Sequence, residues 1–326
     1  WLFPPEHNPR AICQNGILCS GAFIFHGITQ TPFILLNQIF NFIPDDIVWD
    51  YDDFDDSNYL HWRNNINSDF IFLELFYGPI FTALSVSILF QICRLYGISL
   101  KNSIFVSFLY GFGTIAWAYS QTSLSTPPMI FFALLGFYFF KKWNINNFPK
   151  YLIFSGASFG FAFLTRPDAV YFIIPLFFFI LYLIKSKSKK IKSLLGFIIP
   201  TFSAYGIYHL INFIKSGSSS PQSLNSINSL ISASSSNPIL LNIFGLYFSP
   251  GVGLFIFSPI LLSVFIGFFD FYKKNKFESI LLFGFMFMFS YTFGSGEYWH
   301  GLNAWGPRYI LPLVPFLLIP IAFSIE

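Results

Sequence analysis

Apolar residues in this chain neither alternate nor keep to one helix face. They run in blocks. Nine blocks approach the roughly 20 apolar residues that a bilayer-spanning helix needs. They are 70–93, 103–119, 123–140, 151–165, 169–184, 193–214, 251–269, 279–294 and 309–325. Helices that are apolar all round are buried in a large core or in lipid. The block at 123–140 contains Pro127-Pro128, which predicts a kink near its start. Region 16–43 is apolar but interrupted by His26, Gln30, Pro32, Asn37 and Gln38. That mixture predicts a helix lying along the membrane surface rather than a tenth span. The pattern therefore predicts an all-α polytopic membrane protein with about nine transmembrane helices. Residues 1–69 form a loop with a surface helix and an acidic segment, and residues 70–326 form the multi-span domain.

Composition sharpens this picture. Apolar residues make up 54 % of the chain, charged residues 10 %, and Phe occurs 48 times in 326 residues. A soluble domain carries about 25 % charged residues, and a chain of this length has too small a core to hide so much apolar surface. The three cysteines, Cys13, Cys19 and Cys93, show no metal-ligand spacing. Free thiols are the preferred reading, although Cys13 and Cys19 could pair in an oxidising compartment. The chain begins at Trp1 rather than Met, so it reads as a piece of a longer protein whose first span lies upstream.

The net charge of +3 says little as a sum. Its distribution says more. Arg94 and Lys101, then Lys141, Lys142 and Lys150, then Lys185, Lys187, Lys189, Lys190 and Lys192, then Lys273, Lys274 and Lys276 fall in alternate joints. Nine crossings put these four joints on one side, which the positive-inside rule makes cytoplasmic. The other side collects Glu6, the Asp45–Asp56 run, Asp69, Asp168 and Glu297, together with a Ser/Asn-rich loop at 216–236. A cell-membrane protein with its working face on the non-cytoplasmic side is expected, and no nucleic-acid partner.

Four places on that face carry candidate chemistry. The run DDIVWDYDDFDDS packs seven carboxylates into residues 45–56. Such a run is either a hydrated acidic loop, or a source of a general base and of oxygen ligands for a divalent cation. Asp50, Asp52 and Asp53 at its centre are the candidate catalytic residues. The turn GSGEYWHGLNAWGPRY at 294–309 combines Glu297, His300 and Arg308 with Tyr298, Trp299, Trp305 and Tyr309. Aromatic planes stack on sugar rings, and a guanidinium fork suits phosphate. An interfacial aromatic belt accounts for Trp and Tyr, but not for Glu, His and Arg in the same turn. Thr165-Arg166-Pro167-Asp168 offers either a lipid-phosphate contact through Arg166 or an ion pair capping a helical hairpin. Finally, YFSPGVGLFIFSP at 247–259 breaks an apolar block with Gly and Pro. Irregular backbone at membrane depth survives only where protein or a cavity covers it, so a cavity is expected near Ser249–Gly253. The polar groups of 110–128 are expected to line it.

These strings carry a resemblance. SPGVGLFIFSP, followed one helix later by WHGLNAWGPRY, and preceded by YGFGTIAWAYSQT and FLTRPDAV, resembles the GT-C glycosyltransferases related to dolichyl-phosphate-mannose protein mannosyltransferases. Four motifs in order, across about 70–326, carry the likeness, and 16–40 is similar to the amphipathic helix before the second span of such enzymes. The resemblance implies a polyprenyl-phosphate-linked sugar donor, used on the non-cytoplasmic face for a protein, lipid or glycan acceptor. It implies donor-phosphate contacts from Arg308, Arg166 and His300, and sugar or acceptor contacts from Glu297, Tyr298, Trp299 and Trp305. The family's catalytic Asp follows its first span. Here that region lies upstream of Trp1 or is replaced by the acidic run, and Leu302-Asn303 departs from the family pattern.

Two other classes compete with a glycosyltransferase. A transporter or flippase for a lipid-linked or anionic solute would place ionisable residues near mid-bilayer. The spans hold almost none, Glu74 and His209 being the nearest. A non-catalytic subunit of a larger assembly would differ only in lacking activity.

Overall fold

A computed structural model of the chain describes residues 24–44, 68–186, 192–216, 237–296, 299–301 and 306–326. Among these residues there is no strand. The helices are α1 (Ile24–Phe40), α2 (Ser68–Leu95), α3 (Leu100–Phe112), α4 (Ala116–Ser120), α5 (Thr126–Asn146), α6 (Pro149–Thr165) and α7 (Val170–Ser186). They continue with α8 (Lys192–Ser216), α9 (Ile239–Phe248), α10 (Leu254–Phe257), α11 (Val264–Lys274), α12 (Lys276–Ser295) and α13 (Val314–Ser324).

Four described stretches are long and apolar enough to cross a bilayer: Ile71–Leu95, Pro167–Lys185, Ser193–Ile214 and Lys276–Ser295. They coincide with four of the nine expected spans. Three other blocks are broken instead of continuous, each at Gly or Pro. The block 103–119 stops at Phe112, passes Gly113 and restarts as α4. The block 251–269 is divided between α10, a 3-10 turn at Pro259–Ser263 and α11. The block 309–325 opens with a 3-10 turn at Leu311–Leu313 before α13. Pro lacks an amide donor and Gly forfeits helix stability, so apolar content alone does not make these blocks single helices. Conversely, the apolar stretch Ile239–Phe248, between the expected spans 193–214 and 251–269, forms α9. Within the region 16–43 the described residues form one helix, α1.

In lipid, burying apolar surface no longer drives helices together, so close packing must. The strongest seam joins α6 to α8, and its sequence cause is the pair Gly156 and Gly160. A Cβ on Gly156 would stand 2.4 Å from the Phe197 carbonyl oxygen, and one on Gly160 would stand 2.9 Å from Ala204 Cβ. Small residues four apart let the two backbones touch. Ser155 Oγ donates to the Gly136 carbonyl oxygen at 2.8 Å, fixing α6 to α5. At the centre, Phe172 of α7 packs on Phe285 of α12 and Phe316 of α13, with ring centroids 5.0 and 4.9 Å apart. Phe137 of α5 meets Phe316 edge-on at 5.5 Å. The outward faces of α3 and α8, including Phe105, Phe108, Leu210 and Phe213, remain exposed, as lipid-facing surfaces do.

The contacts sort the joints onto two ends of the bundle. At one end, Ser99 N and Asn102 Nδ2 donate to the Glu326 carboxylate at 3.0 and 2.9 Å. Lys274 lies over the Phe323 ring. Lys141 Nζ donates to both oxygens of Glu278 at 2.8 Å. Three of the four lysine-bearing joints meet here, and most of the fourth, 185–192, lies outside the described residues. The opposite end gathers α1, α4, the turn at 121–125, residues 166–169, α10 and residues 306–310. There Gln30 Nε2 donates to the Ser123 carbonyl oxygen at 3.1 Å, and Ile115 N donates to Ser258 Oγ at 2.9 Å.

Candidate functional site

The site builds up from the end of α6. Pro167 disfavours helical backbone in the residue before it, so Arg166 is extended, with φ −150° and ψ 121°. A single 3-10 turn, Pro167–Ala169, then hands the chain to α7. This hairpin faces Arg166 toward Asp168. Arg166 Nη2 donates to Asp168 Oδ2 at 2.6 Å and Nε donates to Oδ1 at 3.1 Å. The remaining nitrogen, Nη1, donates to Thr126 Oγ1 at the start of α5. All three residues are buried. Of the two readings of this motif, the ion pair is present. It does more than cap a hairpin, because it ties α6 and α7 to α5.

Arg308 enters from the other side. Gly306 takes φ +72°, and a Cβ there would stand 2.4 Å from Ile115 Cδ1 and 3.2 Å from Phe257 Cδ1. Only Gly fits this left-handed, close-packed position, and it seats the turn on the segment before α4 and on the end of α10. Tyr309 stacks on Phe293 of α12 with centroids 4.4 Å apart. Between these anchors Arg308 is half-buried. Its Nε is enclosed and has no hydrogen-bond partner among the described residues. Burial and the positive field of Arg166 lower its pKa, while Tyr309, Tyr119 and Asp168 oppose the shift. It remains a cation at physiological pH. Tyr119 of α4 lies in the fields of both guanidinium groups. Burial raises its pKa, and the two arginines pull it back.

Two buried or half-buried guanidinium groups thus share one nearby carboxylate, Asp168. Buried charge is costly unless paired. Among the described residues this end therefore carries one more positive than negative charge around Asp168, and Arg308 Nε lacks a partner there.

A polar network holds α1 against this end. Gln30 Nε2 lies 3.2 Å from His26 Nε2, His26 Nδ1 lies 3.0 Å from Tyr77 Oη, and Tyr77 Oη lies 2.6 Å from Thr29 Oγ1. Thr29 Oγ1 donates to the His26 carbonyl oxygen at 2.7 Å. Every atom is satisfied when His26 is neutral, accepting from Gln30 and donating to Tyr77. Burial, aided by the charge on Arg166, pushes the His26 pKa down to about 4. Alongside, Glu74 of α2 accepts from Ser123 Oγ at 2.5 Å and Ser123 N at 3.2 Å.

The structure does not gather all the candidate residues. Arg166 and Arg308 share one electrostatic neighbourhood. Trp299 packs instead on α9, where a Cβ on Gly245 would stand 2.5 Å from its ring. His300 meets Trp299 edge-on at 5.8 Å. Asp50, Asp52, Asp53, Glu297, Tyr298 and Trp305 lie outside the described residues. No group of three or more His, Cys, Asp or Glu suited to a metal occurs among the described residues, and the acidic run lies outside them. The break at 247–259 is covered by protein only in part: Gly253, Leu254, Phe255 and Ser258 are buried, with Ser258 accepting from Ile115, whereas Phe248, Pro250 and Gly251 are exposed. A cavity of about 500 Å³ lies elsewhere, between α7 and α8. Thr126 and Tyr119 were not singled out by sequence. A Thr immediately before Pro127-Pro128 signals a helix start, but nothing local says that its hydroxyl faces Arg166.

This end of the molecule can now be set beside known proteins. Residues 71–208 match the model of the dolichyl-phosphate-mannose-protein mannosyltransferase family. The match covers less than half of the chain, from α2 through most of α8. It includes Thr126, Arg166 and Asp168 and stops short of Arg308. No curated protein and no solved structure matches the chain. The mannosyltransferase match agrees with the family that the four sequence motifs resemble. It points to a membrane glycosyltransferase of the GT-C kind, and the long apolar helices agree with a membrane-embedded protein.

Proposed function

We propose that this chain moves a sugar from a polyprenyl-phosphate donor to an acceptor hydroxyl, on the non-cytoplasmic face of the cell membrane. The observation that carries this reading is the Arg166–Arg308 pair. It presents two cations against one carboxylate among the described residues, Asp168, and leaves the enclosed Arg308 Nε without a hydrogen-bond partner among those residues. The same reading keeps nine crossings, with the shorter helices completing the bundle and the lysine turns facing the cytoplasm.

In the proposed reaction the acceptor oxygen bonds to the anomeric carbon as the carbon–oxygen bond to phosphate breaks. The configuration inverts. The electron pair and the negative charge leave with polyprenyl phosphate, where Arg308 and Arg166 stabilise them. His300 adds a donor to the phosphate. The acceptor proton passes to a carboxylate, for which Asp50, Asp52 and Asp53 are the candidates, or to one upstream of Trp1. Glu297, Tyr298, Trp299 and Trp305 hold the sugar or the acceptor, which is a protein, a lipid or a glycan. The carboxylates of 45–56 also suit a hard divalent cation, and no step here depends on one.

The test is transfer by the full chain reconstituted in lipid. Replacing Arg308 by Ala should lower the rate by about 10²–10³-fold, the loss typical when an anion-stabilising donor is removed, with expression intact. Undiminished transfer would remove Arg308 from the mechanism.

A further inference from the structure

The turn between α5 and α6 lies at the lysine-bearing end and takes no part in the chemistry above. Asn147 closes α5 in the left-handed region, at φ 60°, and its N–H reaches the Trp143 carbonyl oxygen at 2.8 Å. Asn tolerates that conformation. Phe148 then continues with φ −79° and ψ 120°, and Pro149 opens α6. This turn sets two lysines on one aromatic ring. Lys142 Nζ lies 4.6 Å from the Tyr138 ring centroid and 5.9 Å from that of Tyr151. Lys150 Nζ lies 5.5 Å from the Tyr151 centroid and 5.8 Å from that of Phe148. Neither lysine forms an ion pair among the described residues. The sequence offers little to neutralise them, with no Asp or Glu anywhere from Leu75 to Pro167. Glu278 reaches this end from α12, but its carboxylate is held by Lys141 and Asn144. Two like charges beside one ring repel, and cation–π attraction at the surface leaves their net charge in place.

The surroundings reinforce that field. A Cβ on Gly196 would stand 3.6 Å from the Pro149 carbonyl oxygen, one on Gly156 2.4 Å from the Phe197 carbonyl oxygen, and one on Gly160 2.9 Å from Ala204 Cβ. The contacts advance in the same direction along both helices, so α6 and α8 run parallel and their starts sit side by side at this end. Helix starts carry partial positive charge on amides that lack helical partners, and Phe148 gives α6 no side-chain cap. The surface next to the lysines is apolar. Ile145 and Phe148 are exposed. Phe139 lies 6.5 Å from the Tyr151 ring and 5.3 Å from the ring of Phe154, which is exposed. A free phosphate or an acidic peptide would make no use of this wall. A lipid uses both parts, with its phosphate at the ammonium groups and its acyl chains along the aromatic side chains. Basic residues at a membrane surface attract anionic lipids. We propose that the α5–α6 turn is a binding site for an anionic phospholipid of the leaflet at the lysine-bearing end, held by Lys142 and Lys150. The lipid fastens this turn beside the α6–α8 seam. The site lies at the opposite end of the bundle from Arg166 and Arg308 and does not depend on the donor reading.

The experiment is native mass spectrometry of the full chain in detergent, offered equal amounts of phosphatidylglycerol and phosphatidylcholine with the same acyl chains. Each ammonium group near an anionic lipid is worth about fivefold in affinity. The parent should therefore retain phosphatidylglycerol over phosphatidylcholine by about tenfold or more, and Lys142→Gln/Lys150→Gln should bring the ratio to within about threefold. Lys101→Gln, which changes an exposed lysine of another joint, should leave the ratio within about twofold of the parent. Equal retention of the two lipids by the parent would overturn the site. So would a loss in Lys101→Gln as large as in the double variant, since the charge of the whole end would then be responsible. Glycerol phosphate carries the charge without the chains. If it displaces phosphatidylglycerol at equal concentration, the apolar wall plays no part and the commitment to a lipid fails. Arg308→Ala should retain phosphatidylglycerol as the parent does, and a loss there equal to that of the double variant would place the lipid at the other end and refute the assignment. To keep the test independent of how the variants fold, phosphatidylglycerol with a photoreactive acyl chain is applied to the unmodified chain. Labelled peptides from 138–154 support the assignment, and labelling confined to other segments refutes it. A failure here leaves the donor reading standing, because sugar transfer is not what is measured.

Discussion

Removing Lys141 should destabilise the bundle far more than removing Lys141 and Glu278 together. Lys141 is 6 % exposed and Glu278 is 7 % exposed, so neither charge is shared with water. The ammonium donates to both carboxylate oxygens at 2.8 Å and lies 3.7 Å from the centroid of the Tyr96 ring. Asn144 Nδ2 adds one donor to Glu278 at 3.2 Å. In Lys141→Met the carboxylate keeps the Asn144 hydrogen bond and loses its counter-charge. Breaking a buried pair this way costs about 3–5 kcal/mol. In Glu278→Leu the ammonium keeps its cation–π attraction to Tyr96, worth about 2 kcal/mol when desolvated, so the loss should be somewhat smaller. In Lys141→Met/Glu278→Leu the desolvation cost of both ions disappears, and the result should be near neutral, or stabilising by about 1–4 kcal/mol. The assay is thermal or denaturant unfolding of the four proteins in one detergent, read as a double-mutant cycle. Additive losses, with the double variant the least stable, would refute this account of α5–α12 packing.

The other predictions concern the opposite end. The His26 pKa is depressed in the folded chain, so the native state binds fewer protons than the unfolded one between pH 6.5 and about 4. The stability from docking α1 should be whole above pH 6.5 and fade toward pH 4, by at most about 3 kcal/mol. Hydrogen exchange of α1 at pH 7 and pH 4.5 reads this directly, and equal protection at both pH values would contradict it. Asp168→Asn leaves Arg166 and Arg308 without their shared counter-charge. It should lower the melting temperature, and added polyprenyl phosphate should recover more stability in this variant than in the parent. An identical shift in both would show that Asp168 does not balance the arginines. Gly156→Ala should destabilise the bundle even though Ala is the better helix former by about 1 kcal/mol, because its Cβ meets the Phe197 carbonyl oxygen. A rise in melting temperature would mean that the α6–α8 seam is looser than described.

Sequence alone went furthest where the signal is periodic or punctuated. Long apolar runs announced α2, α7, α8 and α12, because a lipid-facing helix has no polar face to interrupt its run. Pro167 announced the tight hairpin that brings Arg166 against Asp168. Apolar content alone misses the breaks in 103–119 and 309–325, where Gly and Pro end helices regardless of hydropathy, whereas the Gly and Pro of 247–259 mark the break in 251–269. The site was legible as residue types, but its assembly was not. Arg166 and Arg308 are 142 positions apart, and only the packing of the Gly306 turn on Ile115 brings them into one field. Thr126 and Tyr119 belong to the polar stretch 110–128 expected to line a cavity, but their nearness to the arginines is not legible, because hydroxyls at helix ends are common and these partners are non-local. Trp299 reads as a sugar or acceptor contact, and its described neighbours are Gly245 of α9 and His300. The buried Lys141–Glu278 pair was hidden in a lysine-rich joint that the positive-inside rule explains without any pairing.

The central claim is that the end opposite the lysine turns receives a phosphate carried on an isoprenoid chain. Native mass spectrometry of the full chain, offered polyprenyl phosphate and the uncharged polyprenol of equal length, tests it most directly. Retention of the phosphate form alone, abolished by Arg308→Ala, is the predicted result. Equal retention of both lipids, or retention of the phosphate form unaffected by that substitution, would contradict it.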